Sequence, residues 1–134
     1  MSKSIKFTND VYLDASSVVY GRQKLNNYLA SVIESGSNDN GSWIKYSDGT
    51  LIQYKSLVTI EANQESVTIT LPLEYLKPNF TILLTALNYS HPYITYSSNT
   101  VSKNTFKVIA TDIKTGTIPT TKEGFNFLTI GRWK

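Results

Sequence analysis

The chain reads as a mainly β protein, an antiparallel β-sandwich or small barrel of about eight short strands. The composition is the first reason: nine Tyr, five Phe and two Trp accompany many Thr and Ser, and charged residues make up only 17%. Aromatic and β-branched side chains fit a pleated, half-buried surface. Alternation is the second. Val67, Ile69 and Leu71 interleave with Ser66, Thr68 and Thr70, the mark of a strand with one buried face. Punctuation is the third: Asp48-Gly49, Asn63, Pro72, Pro78 and Gly116 recur at short intervals between the apolar runs.

Residues 1–37 differ from the rest of the chain. Ile5-Lys6-Phe7 and Val11-Tyr12-Leu13 read as short extended pieces on either side of Asn9-Asp10. Asp14 to Tyr20 stays open: Asp14 suits a helix cap, whereas Val18-Val19-Tyr20 favours a strand. From Arg22 to about Glu34 the pattern predicts a helix, with Leu25, Leu29 and Val32 placed as the seam of one coiled-coil heptad. Gly36 supplies a stop, and Ser37 to Gly41 a loop. One heptad cannot hold an assembly together unaided, because helices below about 12–15 residues are marginal in water. The stripe either extends an assembly made elsewhere or packs on its own sheet. The division is therefore an N-terminal connector segment with a short helix over 1–37 and a β domain over 38–134.

Asn40 to Tyr54 predicts a β-hairpin. With Asp48-Gly49 as the loop of a tight I′ turn, Tyr46 faces Leu51 and Trp43 faces Tyr54. One face then carries Ile44, Tyr46 and Leu51, the other Trp43, Ile52 and Tyr54. A monomer's surface hairpin usually has one wet face. Two apolar faces predict that one packs on its own domain and the other on a second copy of the chain.

Beyond the hairpin, Leu57–Glu61 and Ser66–Leu71 read as a second hairpin around Ala62 to Glu65. Phe80–Leu87 is apolar on both sides, which suits a central or intersubunit strand. Tyr93–Ser97, Thr105–Thr111 and Phe125–Trp133 complete the set, with Phe106, Val108 and Ala110 facing inward. Asp112 to Lys122 is a loop rich in Thr, Gly and Pro.

Several function classes lose support here. At 134 residues the chain has room for one domain with a real core. The net charge is +3, but the 13 Lys and Arg are scattered, without the concentrated basic footprint of nucleic-acid binding. There is no cysteine, so neither disulfides nor thiolate metal sites arise. Apolar runs such as Ile82-Leu83-Leu84 are too short for membrane insertion, and Met1 to Lys6 holds no apolar stretch of signal-peptide length.

Catalysis is equally unsupported. The single histidine, His91, sits in Asn88-Tyr89-Ser90-His91-Pro92-Tyr93 without a nucleophile elbow. Asp39 and Asp48 have local turn roles, and no pair of acids suggests glycoside hydrolysis. Asn38 to Gly41 lacks the length and closing Glu of a calcium loop. The expectation is a non-enzymatic protein with no cofactor and no metal.

Binding remains. Tyr89, His91, Tyr93 and Tyr96 lie among Asn and Ser residues that include Asn88. Aromatic rings beside amides and hydroxyls suit the C–H faces and hydroxyl rims of sugars. Tyr93 and Ile94 cannot both point outward along one strand, so some of these rings pack inward instead. The loop from Asp112 adds Lys114 and Thr117, since recognition concentrates on loops of a rigid scaffold.

The stretch Asn40-Gly41-Ser42-Trp43-Ile44 with Asp48-Gly49 and Leu51-Ile52-Gln53-Tyr54, together with Phe125-Asn126-Phe127-Leu128-Thr129-Ile130-Gly131-Arg132-Trp133 at the C-terminus, resembles the C-terminal receptor-binding domain of bacteriophage tail fibres and phage-tail-like bacteriocins. The resemblance covers roughly residues 38 to 134. It departs at Lys55, where many relatives carry glycine, so the strand exit there is expected to differ. It implies a homotrimer at the tip of a virion tail fibre, made in the host cytoplasm, held by other phage tail proteins and acting outside the cell. It also implies adsorption to a bacterial surface polysaccharide or wall polymer. A structural tail, baseplate or fibre-trimerisation module without receptor contact is the alternative. On this reading Leu25, Leu29, Val32, Trp43, Tyr54 and Trp133 are candidates for the trimer interface. Asn88, Tyr89, His91, Tyr93, Tyr96, Lys114 and Thr117 are candidates for the receptor.

Overall fold

The computed structural model of the chain describes residues 5–7, 11–13, 30–87 and 93–134. Their regular elements are all β. Strands β1 (Ile5–Phe7) and β2 (Val11–Leu13) pair antiparallel with each other. Eight further strands form two antiparallel sheets. They are β3 (Val32–Asn38), β4 (Gly41–Tyr46), β5 (Thr50–Ile60), β6 (Ser66–Thr70), β7 (Thr81–Ala86), β8 (Ile94–Thr100), β9 (Thr105–Asp112) and β10 (Glu123–Arg132). The larger sheet runs β3-β4-β5-β10-β7 and the smaller β6-β9-β8.

Alternation decides which residues lie between the sheets. Leu51 and Gln53 on β5 and Phe125, Phe127 and Thr129 on β10 point inward and are buried. Ile69, Phe106, Val108 and Ala110 answer from the smaller sheet. Phe106 meets Phe127 edge-on with centroids 5.3 Å apart, and Tyr96 tilts against Phe125 at 5.4 Å. These aromatic pairs seal the sandwich; each contributes about 0.5–1.5 kcal/mol beyond its buried area. Phe106, Val108 and Ala110 face inward as their alternation predicts.

The start of the sheet departs from expectation. The pattern Leu25, Leu29, Val32 predicts a helix to Glu34, yet Val32–Asn38 is a strand paired along β4. Val32 and Ile33 are β-branched, and β4 offers this segment a full hydrogen-bonding partner. The boundary expected between residues 37 and 38 therefore falls inside β3. Gly36 is no helix stop: a Cβ there would enter the Trp43 indole, so the missing side chain lets the ring lie across β3. Leu25 and Leu29 lie outside the described residues.

The hairpin exists, one residue out of register. Trp43 pairs with Gln53, Ile44 with Ile52 and Lys45 with Leu51, so Trp43 does not face Tyr54. The cause is the turn. Ser47-Asp48-Gly49 forms a three-residue loop with Gly49 at φ 96°, its N–H bonded to the Tyr46 carbonyl at 3.1 Å. Because side chains alternate, one residue of slip exchanges the faces. Trp43 joins Leu51 and Gln53 on the inner side, while Ile44, Tyr46, Ile52 and Tyr54 share the outer side.

Two further expectations change. The strands expected to end near Tyr54 and to begin at Leu57 are one strand, β5, which runs through Lys55. A register shift opposite Asn126 absorbs the irregularity: Leu57 takes φ 57°, and its N–H donates to the Asn126 amide oxygen at 3.0 Å. Residues 61–65 do not close a hairpin, because β5 pairs with β10 and β6 with β9. They carry the chain from one sheet to the other. Strand β7 is an edge of the larger sheet, not a central strand.

Candidate functional site

Tyr93 and Lys114 meet at one end of the smaller sheet. The segment after β9 folds back on itself: the Asp112 carboxylate accepts the Lys114 N–H at 2.9 Å, and the Asp112 N–H reaches the Thr117 carbonyl at 3.0 Å. Gly116, at φ 69°, completes the reversal. The Ile113 N–H bonds the Tyr93 carbonyl at 2.9 Å, tying the loop to the entry of β8. Lys114 Nζ consequently stands 3.5 Å from the centroid of the Tyr93 ring. The Thr115 and Thr117 hydroxyls, on the same loop, lie 2.7 Å apart.

This cluster is exposed. Tyr93 keeps 42% of its surface open, with Ile113 and Ile118 open alongside. An exposed cation–π contact contributes about 0.5–1 kcal/mol, small enough for a ligand to displace. The group offers one aromatic face, one ammonium and two hydroxyls on a loop fixed by backbone hydrogen bonds. That set can cover a C–H face and hydrogen-bond a polar rim.

Tyr96 is placed otherwise. Its ring packs on Phe125, and its hydroxyl donates to the Gly124 carbonyl at 2.9 Å across the sandwich. Burial, helped by the Glu123 carboxylate, pushes its pKa up to about 12. Both its ring and its hydroxyl are thus engaged inside the protein. Asn88, Tyr89 and His91 lie outside the described residues. Of the receptor candidates, Tyr93 and Lys114 are in contact, and Thr117 stands on the same loop as Lys114.

The interface candidates divide by face. Trp43 is partly buried, with its indole N–H donating to Glu34 at 3.0 Å. The Lys45 ammonium joins the same carboxylate at 3.1 Å, and these two donors hold Glu34 below the usual carboxylate range. Trp133 closes the near end of the sandwich, donating its indole N–H to the Tyr46 carbonyl at 3.0 Å. Val32 is exposed on the edge strand. Tyr54 points outward.

Around Tyr54 lies an apolar surface that reading single strands missed. Register aligns Ile44, Ile52 and Ile130 in one row and Tyr54, Leu128 and Leu83 in the next. Tyr54, Ile130 and Leu83 are 40%, 38% and 54% exposed. Only the strand order, which sets β10 between β5 and β7, makes these residues neighbours.

No protein-family model matches the sequence, and no curated protein matches it. Solved structures do. An N-truncated R2-type pyocin tail fibre superposes with a TM-score of 0.61 at 13% identity, over 98% of this chain and 49% of that one. The C-terminal part of the R1 pyocin fibre of P. aeruginosa superposes with a TM-score of 0.56 at 14% identity, over 98% of this chain and 35% of that one. An N-truncated R1-type pyocin tail fibre gives 0.54 at 14% identity, over 89% of this chain and 99% of that one. The chain thus spans about half the length of the first of these fibres. At such low identity the similarity speaks for architecture: the chain has the fold of a pyocin tail-fibre C-terminal region.

Proposed function

We propose that this protein is the receptor-binding end of a phage or phage-tail-like particle's tail fibre, adsorbing as a homotrimer to a bacterial surface polysaccharide or wall polymer. The observation that carries this reading is the shared fold with pyocin tail fibres along nearly the whole chain. Binding is reversible and involves no covalent step. The Tyr93–Lys114–Thr117 cluster supplies an aromatic face, a cation and hydroxyls for a sugar. Three copies turn weak single contacts into firm attachment by raising the effective concentration of the second and third. The outer face around Tyr54 and Leu83 supports the assembly, since one copy alone leaves it open to water.

The test is adsorption. Fluorescently labelled protein is expected to decorate some strains of a bacterial panel and to compete with the particle it derives from. Tyr93→Ala with Lys114→Ala should reduce decoration without changing oligomeric state. A saturating excess that leaves particle adsorption unchanged would favour a structural module of the tail or baseplate.

A further inference from the structure

Away from the Tyr93 loop, at the end of β10, lies a cleft of about 380 Å³. Small-ligand sites span roughly 300–1,000 Å³. The chain between β6 and β7 forms one wall and is pinned at several points. The Leu76 N–H bonds the Arg132 carbonyl at 2.7 Å, and the Tyr75 N–H bonds the Lys103 carbonyl at 2.8 Å. Tyr75 stacks on Phe80 with centroids 4.5 Å apart. Gly131 runs beneath them: a Cβ there would lie 2.6 Å from the Tyr75 ring and 2.9 Å from the Phe80 Cβ. The floor is therefore tightly fitted, and the cleft is part of the fold.

Its chemistry is lopsided. Leu76 and Phe80 give an apolar wall, while Lys77, Arg132 and Lys134 supply three cations. None of these cations forms a salt bridge among the described residues. Asp48, at the β4–β5 turn, has its carboxyl held below the usual value by the Thr50 hydrogen bonds first and by Arg132 and Lys134 after them. Its carboxylate already accepts the Thr50 N–H at 2.8 Å. The Arg132 guanidinium rests over Gly49, where an added Cβ would meet it at 2.6 Å. Asp48 thus acts with two of the three cations, and Lys77 adds a third at the mouth of a half-apolar cleft.

The geometry points to this cleft as the binding site for an acidic sugar unit, its oxyanion held by Arg132 and Lys77 and its C–H face against Leu76 and Phe80. A guanidinium suits either a phosphate or a carboxylate, because both accept paired N–H donors. A duplex or single strand of nucleic acid would need the cations along a stripe; here they ring a pocket. That the sugar belongs to a bacterial surface rests on the receptor-binding reading. The binding chemistry does not.

The full chain, titrated with glucose 6-phosphate, glucuronate, glucose and inorganic phosphate while its backbone amides are followed by NMR, tests this directly. Both acidic sugars are expected to bind about tenfold or more tightly than glucose or phosphate, a gap of ~1.4 kcal/mol. The shifted amides should be those of Leu76, Lys77, Gly131 and Arg132. Lys77→Gln with Arg132→Gln, both at exposed positions, should lose that advantage while retaining the wild-type thermal midpoint. Leu76→Ser should weaken the acidic sugars and spare inorganic phosphate.

Equal affinity for phosphate and glucose 6-phosphate would overturn the inference, as would shifts confined to the Tyr93 loop or an unaffected double variant. So would a short DNA duplex competing as well as the sugars. Labelled protein on cells separates the two ideas. Wild-type protein that fails to adsorb, yet binds acidic sugars, overturns the receptor reading alone. Wild-type protein that adsorbs while showing no acidic-sugar preference overturns the cleft assignment alone.

Discussion

The Thr129 hydroxyl donates to the Gln53 carbonyl at 3.2 Å, so the Tyr75 hydroxyl, 2.8 Å away, must donate to Thr129. The order of donors makes the two ends of this buried relay unequal. Thr129→Val removes the acceptor of the Tyr75 proton and leaves that phenol only its contact with the Gln53 side chain, at a cost of about 1–3 kcal/mol. Tyr75→Phe leaves Thr129 still bonded to Gln53 and should cost about 1 kcal/mol. Urea unfolding of the two variants checks the asymmetry. Equal losses would mean that the hydroxyls are not ordered in this direction.

Gln53 is fully buried, and its side-chain amide closes both hydrogen bonds with one residue of the crossing segment. Its Nε2 donates to the Leu73 carbonyl at 3.1 Å, and its Oε1 accepts the Leu73 N–H at 2.8 Å. The amide therefore acts as a short strand partner for a segment that has none. Gln53→Leu keeps the bulk but strands two backbone groups, and should cost about 2–4 kcal/mol. Hydrogen exchange at Leu73 and its neighbours should accelerate more than exchange in β9. Uniform acceleration would indicate a general loss of stability instead.

Register separates Trp43 from Tyr54, and charged substitutions should separate them too. Tyr54→Lys places an ammonium on the outer apolar face and should weaken the proposed trimer tenfold or more, about 1.4 kcal/mol or above, with little change in protomer stability. Trp43→Lys removes a ring that packs over Gly36 and against the core, and should lower protomer stability by about 2 kcal/mol. Sedimentation velocity and thermal melting read the two effects. A Tyr54→Lys protein that associates as the wild type does would remove this face from the interface.

The hairpin shows how far the sequence can be read. Its strands and its Asp48-Gly49 turn were legible because alternation and turn residues are local properties. Its register was not, because both a two-residue and a three-residue loop accommodate Asp-Gly, and only the β4–β5 ladder shows that the three-residue turn is used. Val32 shows a different limit. A single apolar heptad fits a helix and a strand edge alike, and here β4 supplies the hydrogen bonds that decide. The Tyr93–Lys114 contact was legible in its residue types but not in its distance. The basic cleft was invisible, since it joins positions 76–80 to 131–134 across the packed end of the sandwich.

Tyr96 gives the structure a titration of its own. Its phenol remains protonated in the folded protein up to about pH 12, whereas the unfolded chain releases that proton near pH 10. Between those values the unfolded state binds fewer protons, so stability falls as pH rises. Below pH 10 the full contribution is present; by pH 12 it is spent. Partial exposure of the ring means solvent screens some of this effect. Tyr96→Phe abolishes the titration and loses one hydrogen bond, leaving the Gly124 carbonyl its second partner, the Leu87 N–H at 2.9 Å. The variant should be less stable at neutral pH by about 0.5–1.5 kcal/mol and decline less steeply between pH 10 and 12. Denaturant midpoints across that range check both, and parallel curves would show that another group carries the alkaline loss.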